Sequence, residues 1–246
     1  MLLDGHIALI TGAGQGIGRA CAVIFASKGA DLVLFDKNPE TLNTVSDEVD
    51  RIGRKVMQYV VDLTNLEKLR EAVENARKIG LIDILVNNAG FDRPGTTAKI
   101  DKKEFEAVLG IHVTVPLTLI QTLLPGMRKA GWGRIINVSS IYGIIGGKGE
   151  VAYSTAKAGI IGLTKSVAKE CGQDGVTVNA VLPGLTRTPT IETFMDERYK
   201  KDIIANTPLG RIAEPEEVAR VIAFLASDEA SFITGIALPV SGGWGV

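Results

Sequence analysis

Seven short apolar runs rich in β-branched residues recur along the 246-residue chain, and longer segments with helical spacing separate them. This alternation constrains the fold more than any other feature. The runs are residues 7–12 (IALITG), 31–36 (DLVLFD), 56–62 (VMQYVVD), 82–90 (IDILVNNAG), 133–140 (GRIINVSS), 176–184 (VTVNAVLPG) and 233–240 (ITGIALPV). Helical spacing covers residues 16–28, 39–52, 65–79, 101–130, 151–172 and 214–227. Continuous apolar runs suit strands buried on both faces, and strand alternating with helix gives parallel crossover units. The pattern therefore predicts an α/β fold, a doubly wound seven-stranded parallel sheet with helices on both faces. No linker, repeat or low-complexity run divides residues 1–246, so a single domain is expected.

In such a sheet, ligands sit beyond the carboxyl ends of the strands. The predicted strand ends carry TGAGQGIG, FD, VVDL, NNAG, VSS and PGLTRT, so small and polar residues gather on one rim. TGAGQGIG follows the first strand directly and opens the first helix. Gly12, Gly16 and Gly18 remove the side chains that would keep a pyrophosphate from the helix N-terminus, whose free N–H groups favour an anion. The second strand ends at Asp36, eighteen residues beyond Gly18, where a carboxylate can accept hydrogen bonds from ribose hydroxyls and repel a 2′-phosphate. This favours NAD over NADP, although the adjacent Lys37 offers a cation to a phosphate.

Composition closes other routes. A net charge of −1 with 22% charged residues supplies no footprint for a nucleic acid. Cys21 and Cys171 lie far apart without ligand spacing, so free thiols are expected and no metal site is. The N-terminus MLLDGHIALI lacks the regions of a secretion signal and no uninterrupted 18-residue apolar run occurs, so neither export nor a membrane span is expected, and the cytoplasm is the expected location.

YSTAK, residues 153–157, places Tyr153 and Lys157 one turn apart on the same helix face, and Ser140 stands thirteen residues before the tyrosine. With TGxxxGxG, Asp36, NNAG and the PGxxxT of Pro183, Gly184 and Thr188 in the same order, essentially the whole chain resembles the short-chain dehydrogenase/reductase family, and 3-oxoacyl-thioester reductases are the commonest such relatives.

The resemblance implies a Rossmann-like fold and a nicotinamide cofactor. It implies Tyr153 as general base or acid, Lys157 as stabiliser of its phenolate and holder of the nicotinamide ribose, and Ser140 as the donor that orients the substrate oxygen. A free phenol titrates near ~10, so ionising it at neutral pH takes about 4 kcal/mol of preferential stabilisation. It also assigns Gln15, Ile17, Asp62, Leu63, Asn88, Ala89, Gly90 and Thr186 to the cofactor site, with Asp62 toward the adenine. Asp62 serves equally well as a strand-end cap. Two positions depart from the family pattern. The tail reads Ser241-Gly242-Gly243, where the family carries an acidic residue before the glycines. His112 stands where the family carries an asparagine that holds a water in a proton relay. A histidine near Lys157 would either replace that asparagine or fill the water site.

The expected activity is NAD(H)-dependent interconversion of a secondary alcohol and its ketone on a small hydroxy or keto substrate. The alternatives are an NADP(H)-dependent 3-oxoacyl-thioester reductase and a non-catalytic dinucleotide-binding protein, the latter opposed by the intact Ser140, Tyr153 and Lys157. Residues 188–211 are expected to form a substrate lid, with Ile191, Phe194 and Met195 as its apolar members. Ile141 and Tyr142 are candidate pocket walls, and Arg93 is a candidate partner for an anionic substrate group. By the same resemblance the chain is expected to assemble as a homotetramer.

Overall fold

Period-two burial along the strands sorts the core into two layers. The computed structural model describes all of residues 1–246 except the side chain of Phe194, so the expectation placed on Phe194 lies outside the described residues. Ala8, Ile10, Leu32, Leu34, Ile84, Val86, Ile136 and Val181 point to one face of the sheet and Leu9, Val33, Phe35, Leu85, Ile135 and Val178 to the other. Both sets are fully buried, as expected for strands covered on both sides. The strands are β1 (Ile7–Thr11), β2 (Asp31–Asp36), β3 (Val56–Val60), β4 (Ile84–Asn87), β5 (Gly133–Val138), β6 (Val176–Pro183) and β7 (Ala237–Val240). They form one parallel sheet in the order β3-β2-β1-β4-β5-β6-β7. The order reverses between β1 and β4, which opens a crevice at their carboxyl ends.

Helices α1 (Gly16–Ser27), α2 (Pro39–Ile52) and α10 (Pro215–Leu225) cover the first face. Helices α3 (Leu66–Ala76), α5 (Val115–Ala130) and α7 (Val151–Cys171) cover the second. Short helices α4 (Lys102–Leu109), α6 (Tyr142–Ile145), α8 (Pro189–Phe194) and α9 (Glu197–Ala205) lie in the connections. The doubly wound architecture thus matches the expectation from the sequence. The strands end earlier than the apolar runs suggest, at Asn87 and Val138, because the residues beyond turn into the rim.

The stretch expected as one helix over 101–130 contains a π turn at Gly110–Thr114, which joins α4 to α5. Such turns are often found at functional sites. Taken as a unit, Lys102–Ala130 is long and apolar enough to cross a membrane by length and composition, contrary to the expectation from the sequence. Its apolar window is more than half buried in the fold, where Leu119, Leu123 and Met127 pack on the sheet. Within residues 188–211 the chain forms α8 and α9, each started by a polar cap, Thr188 and Asp196 respectively.

Candidate active site

Thr11, the last residue of β1, begins the site. Its hydroxyl accepts hydrogen bonds from the backbone N–H groups of Asn88 and Ala89, both at 3.0 Å. The Asn88 amide in turn donates to Thr11 O at 2.9 Å and Gly12 O at 3.1 Å. Asn88 thereby fastens the glycine turn to the end of β4, a holding role that its place in NNAG did not by itself reveal. The turn itself requires glycine. Gly12 has φ +64°, and a Cβ on Gly18 would stand 2.0 Å from Gly12 O. A Cβ on Gly16 would stand 3.0 Å from the Thr188 methyl, closing the gap between the turn and the start of α8.

The first turn of α1 has neither a side-chain cap nor an acidic residue, so its N–H groups are free to meet an anion. A cavity of about 750 Å³ opens in front of it, lined by Gly12, Gln15, Gly16, Ile17, Asp36, Asp62, Leu63, Asn88, Ala89, Gly90 and Thr188 among others. These residues fit a dinucleotide. Asp36 is held in place by backbone donors, Gly14 N at 2.8 Å and Asn38 N at 3.0 Å. Asp62 accepts from the Thr64 hydroxyl and N–H, and these bonds hold its carboxyl below the usual range. Asp62 therefore serves its own turn and the cavity wall together.

A second cavity of about 320 Å³ adjoins the first, and Ile17, Asn88, Gly90, Phe91, Thr188 and Thr190 line both. Ser140, Tyr153, Lys157 and His112 face into it. A buried polar chain docks α7 on the sheet: Asn87 donates to Asn137 at 2.8 Å and Asn137 to Thr164 at 2.9 Å. Ser139 adds a bond to Lys157 O at 2.7 Å. The Lys157 ammonium donates to Val138 O at 2.7 Å and lies 5.3 Å from the Tyr153 ring centroid. Burial pushes Lys157 down to about 7, with the Asp92 charge opposing.

Burial raises the Tyr153 phenol above its ordinary value, the Ser140 hydrogen bond pulls it down, and the charges of Asp92 and Glu150 raise it further. The balance of these groups favours the neutral phenol.

His112, on the π turn, is buried and meets the Tyr153 ring edge to face at 5.4 Å. Its Nε2 bonds Phe91 O at 2.9 Å. Because a carbonyl only accepts, Nε2 carries the proton and Nδ1 of the neutral ring is left as acceptor. Burial, then the Lys157 charge, hold the imidazole well below its ordinary value. Gly90 makes room for it, since a Cβ there would fall 1.9 Å from His112 Cε1.

The remaining expectations separate. Tyr142, Ile191, Met195, Pro183, Gly184, Thr186 and Thr188 line the second cavity. Ile141 does not, being fully buried and packed near Gly245. Arg93 lines the first cavity instead, its guanidinium 4.9 Å above the Phe91 ring and bonded to Asp92 O at 3.0 Å. Gly184 abuts Ser241, where a Cβ would meet Ser241 Cα at 2.8 Å, so the unusual tail residue packs under the β6 rim. Sequence reasoning missed Asp92, Glu150, Tyr199 and Trp244, all of which line the second cavity. The Tyr142 and Tyr199 hydroxyls are hydrogen-bonded and Trp244 meets Tyr142 edge to face, so α9 and the tail close over the Ser140 loop. Only Glu150, three residues before Tyr153, carried a local signal.

A family model described as enoyl-(acyl carrier protein) reductase matches residues 12–245. The chain is 40% identical over 244 residues, 99% of each chain, to the 3-oxoacyl-[acyl-carrier-protein] reductase FabG of Thermotoga maritima. Among solved structures, a putative NAD(P)-dependent gluconate 5-dehydrogenase from Beutenbergia cavernae with bound NADP superposes with a TM-score of 0.94 at 34% identity, covering 98% of this chain and 97% of that one. A 7α-hydroxysteroid dehydrogenase complexed with NADH and 7-oxo glycochenodeoxycholic acid superposes with a TM-score of 0.95 at 32% identity, covering 98% and 95%.

Proposed function

Because the chain belongs to the short-chain dehydrogenase/reductase family, we propose that this oxidoreductase interconverts a secondary alcohol and its ketone with NAD(H), Tyr153 acting as general base in oxidation and general acid in reduction. One observation carries the reading: the cavity that holds Ser140, Tyr153 and Lys157 shares its wall with the dinucleotide cavity, so a substrate carbon and a nicotinamide can meet. The bound cofactor supplies the hydride or accepts it. Ser140 holds the substrate oxygen, Tyr153 passes the hydroxyl proton, and Lys157 favours the phenolate by its charge. The catalytic roles, the lid role of residues 188–211, the cytoplasmic location and the homotetramer all belong to this reading.

Asp36 supports NAD over NADP. Its carboxylate is clamped by Gly14 N and Asn38 N, so it cannot swing away from a 2′-phosphate without losing both bonds. The solved neighbours hold NADP in one case and NADH in another, and the likeness to 3-oxoacyl-[acyl-carrier-protein] reductases leans toward NADP. The full-length similarity to a 3-oxoacyl-[acyl-carrier-protein] reductase favours a second reading, reduction of a 3-oxoacyl thioester with NADPH. Turnover of secondary alcohols and of a 3-oxoacyl thioester, each with both dinucleotides, separates the two. In either case Tyr153→Phe should lower kcat by ~10²–10⁴-fold while dinucleotide binding persists. Unchanged turnover would remove Tyr153 from the mechanism.

A further inference from the structure

The substrate cavity contains an acidic pair that hydride transfer does not use. Asp92 lies beyond the end of β4 and Glu150 immediately before α7, and their loops are joined by backbone. Gly95 N donates to Gly149 O at 2.7 Å, and Gly95 pairs with Glu150 in a parallel bridge. Both side chains line the cavity of about 320 Å³ together with Ser140, Tyr153, Tyr142 and Tyr199. Asp92 Oδ1 accepts from Arg93 N at 2.6 Å. Burial, then the neighbouring Asp92 carboxyl, push Glu150 up to about 8. Glu150 Oε2 is buried and meets no protein donor.

No ion pair among the described residues offsets the charge of the pair, although the Asp92 charge acts on Lys157 across the cavity. Among the described residues, the charged side chains lining this cavity are Asp92, Glu150 and Lys157, and the Lys157 ammonium is directed at Val138 O. Arg93 stacks on Phe91 and faces the dinucleotide cavity. The pair thus presents several acceptor oxygens and a net negative charge to whatever stands beside the reacting carbon.

We propose that Asp92 and Glu150 select the substrate: the cavity takes ketones and alcohols that bring a hydrogen-bond donor, a hydroxyl or ammonium group, next to the reacting carbon, and rejects those with a carboxylate or phosphate there. The inference rests on the oxidoreductase reading of the same cavity. A donor group satisfies Glu150 Oε2, which is otherwise buried and unpaired, whereas an anion meets a like charge in a low-dielectric pocket.

The test compares a secondary alcohol with its vicinal diol, its amino-alcohol analogue and the hydroxy acid of equal length, by kcat/KM. The donor-bearing compounds should exceed the hydroxy acid by ~10²-fold or more. Whether diol or amino alcohol leads identifies the donor. Glu150→Gln and Asp92→Asn should each cut that preference ~10-fold, chiefly through KM, with dinucleotide affinity unchanged. A hydroxy acid used as well as the diol, or a preference untouched in both variants, overturns the proposal.

A further readout is the pH profile with the simple alcohol. The pair faces Tyr153 and Lys157 on α7, Tyr142 on α6, Tyr199 on α9 and His112 on the π turn. Its charges help raise the phenol, so Glu150→Gln should move the rising limb of oxidation to lower pH. Calorimetric binding of the same compounds to Tyr153→Phe protein with NADH separates the two possible failures. Donor preference in binding without wild-type turnover sinks the redox reading alone, while binding without preference sinks the acidic pair.

Discussion

The two cavities are neighbours, yet they are built from different material. The dinucleotide side is made of backbone: a glycine turn, an uncapped helix N-terminus, and side chains such as Asn88 and Asp36 that are fixed by the main chain they hold. The substrate side is made of side chains delivered by separate segments, with Asp92 after β4, His112 on the π turn, Tyr142 in α6, Tyr153 in α7, Tyr199 in α9 and Trp244 in the tail. Backbone sites tolerate no added atoms. Side-chain sites tolerate exchange and change specificity.

Gly18→Ala puts this contrast to its harshest test. The new Cβ would enter Gly12 O at 2.0 Å, so the turn must open and dinucleotide affinity should fall ~10²-fold or more, about 2.7 kcal/mol. Fluorescence titration measures the loss and circular dichroism checks the fold. Retained affinity would show that the turn is more pliant than its packing implies.

Asp36→Asn removes the charge together with one of the two clamp bonds, because an amide has a single acceptor oxygen. The ratio of kcat/KM for NAD over NADP should drop ~10-fold, since the repulsion on a 2′-phosphate disappears while an acceptor for ribose hydroxyls remains. An unchanged ratio would transfer the choice of dinucleotide to another residue, with Lys37 the first to examine.

The substrate side should instead declare itself in stability against pH. Burial and the neighbouring Asp92 raise Glu150 well above an ordinary carboxyl, so the folded protein holds a proton that the unfolded chain has lost, and stability falls as pH rises from the ordinary carboxyl range toward about 8. Lys157 is depressed to about 7 from 10.5, so the unfolded chain binds the extra proton and stability rises between about 7 and 10.5. The unliganded protein should therefore show a shallow minimum in Tm near pH 7 to 8. Glu150→Gln should flatten the falling limb by an amount on the order of 2–4 °C. A falling limb that persists in the variant would assign it to another group.

The same contrast explains what was legible in the sequence. Strand runs and TGAGQGIG are local patterns whose meaning lies in adjacent residues, so the sheet, its helices and the dinucleotide cavity could be read directly. Asp92 and Glu150 lie 58 positions apart, by subtraction of their numbers, and meet only because Gly95 and Gly149 join two loops. Neither residue has a periodic neighbour that announces the other. Arg93 shows the converse: its charge and position in the sequence suit an anion, while in the fold it stacks on the Phe91 ring and lines the first cavity.

His112 stands between the two kinds of material and should produce the smallest effect. Its buried ring is kept neutral, with the Nε2 proton committed to Phe91 O and the edge of the ring against Tyr153. A group in this state cannot exchange protons with solvent near neutral pH, although its Nδ1 can accept a hydrogen bond from a water. His112→Asn should therefore change kcat by less than ~10-fold and leave the pH profile in place, because an asparagine amide can still donate to Phe91 O. Nitrogen chemical shifts of His112 should report the neutral Nε2–H tautomer even on the acid side of the ordinary histidine value. An inflection near pH 6 to 7 that vanishes in the variant would instead make the imidazole a proton carrier, and the substrate side would then owe part of its chemistry to a titrating ring.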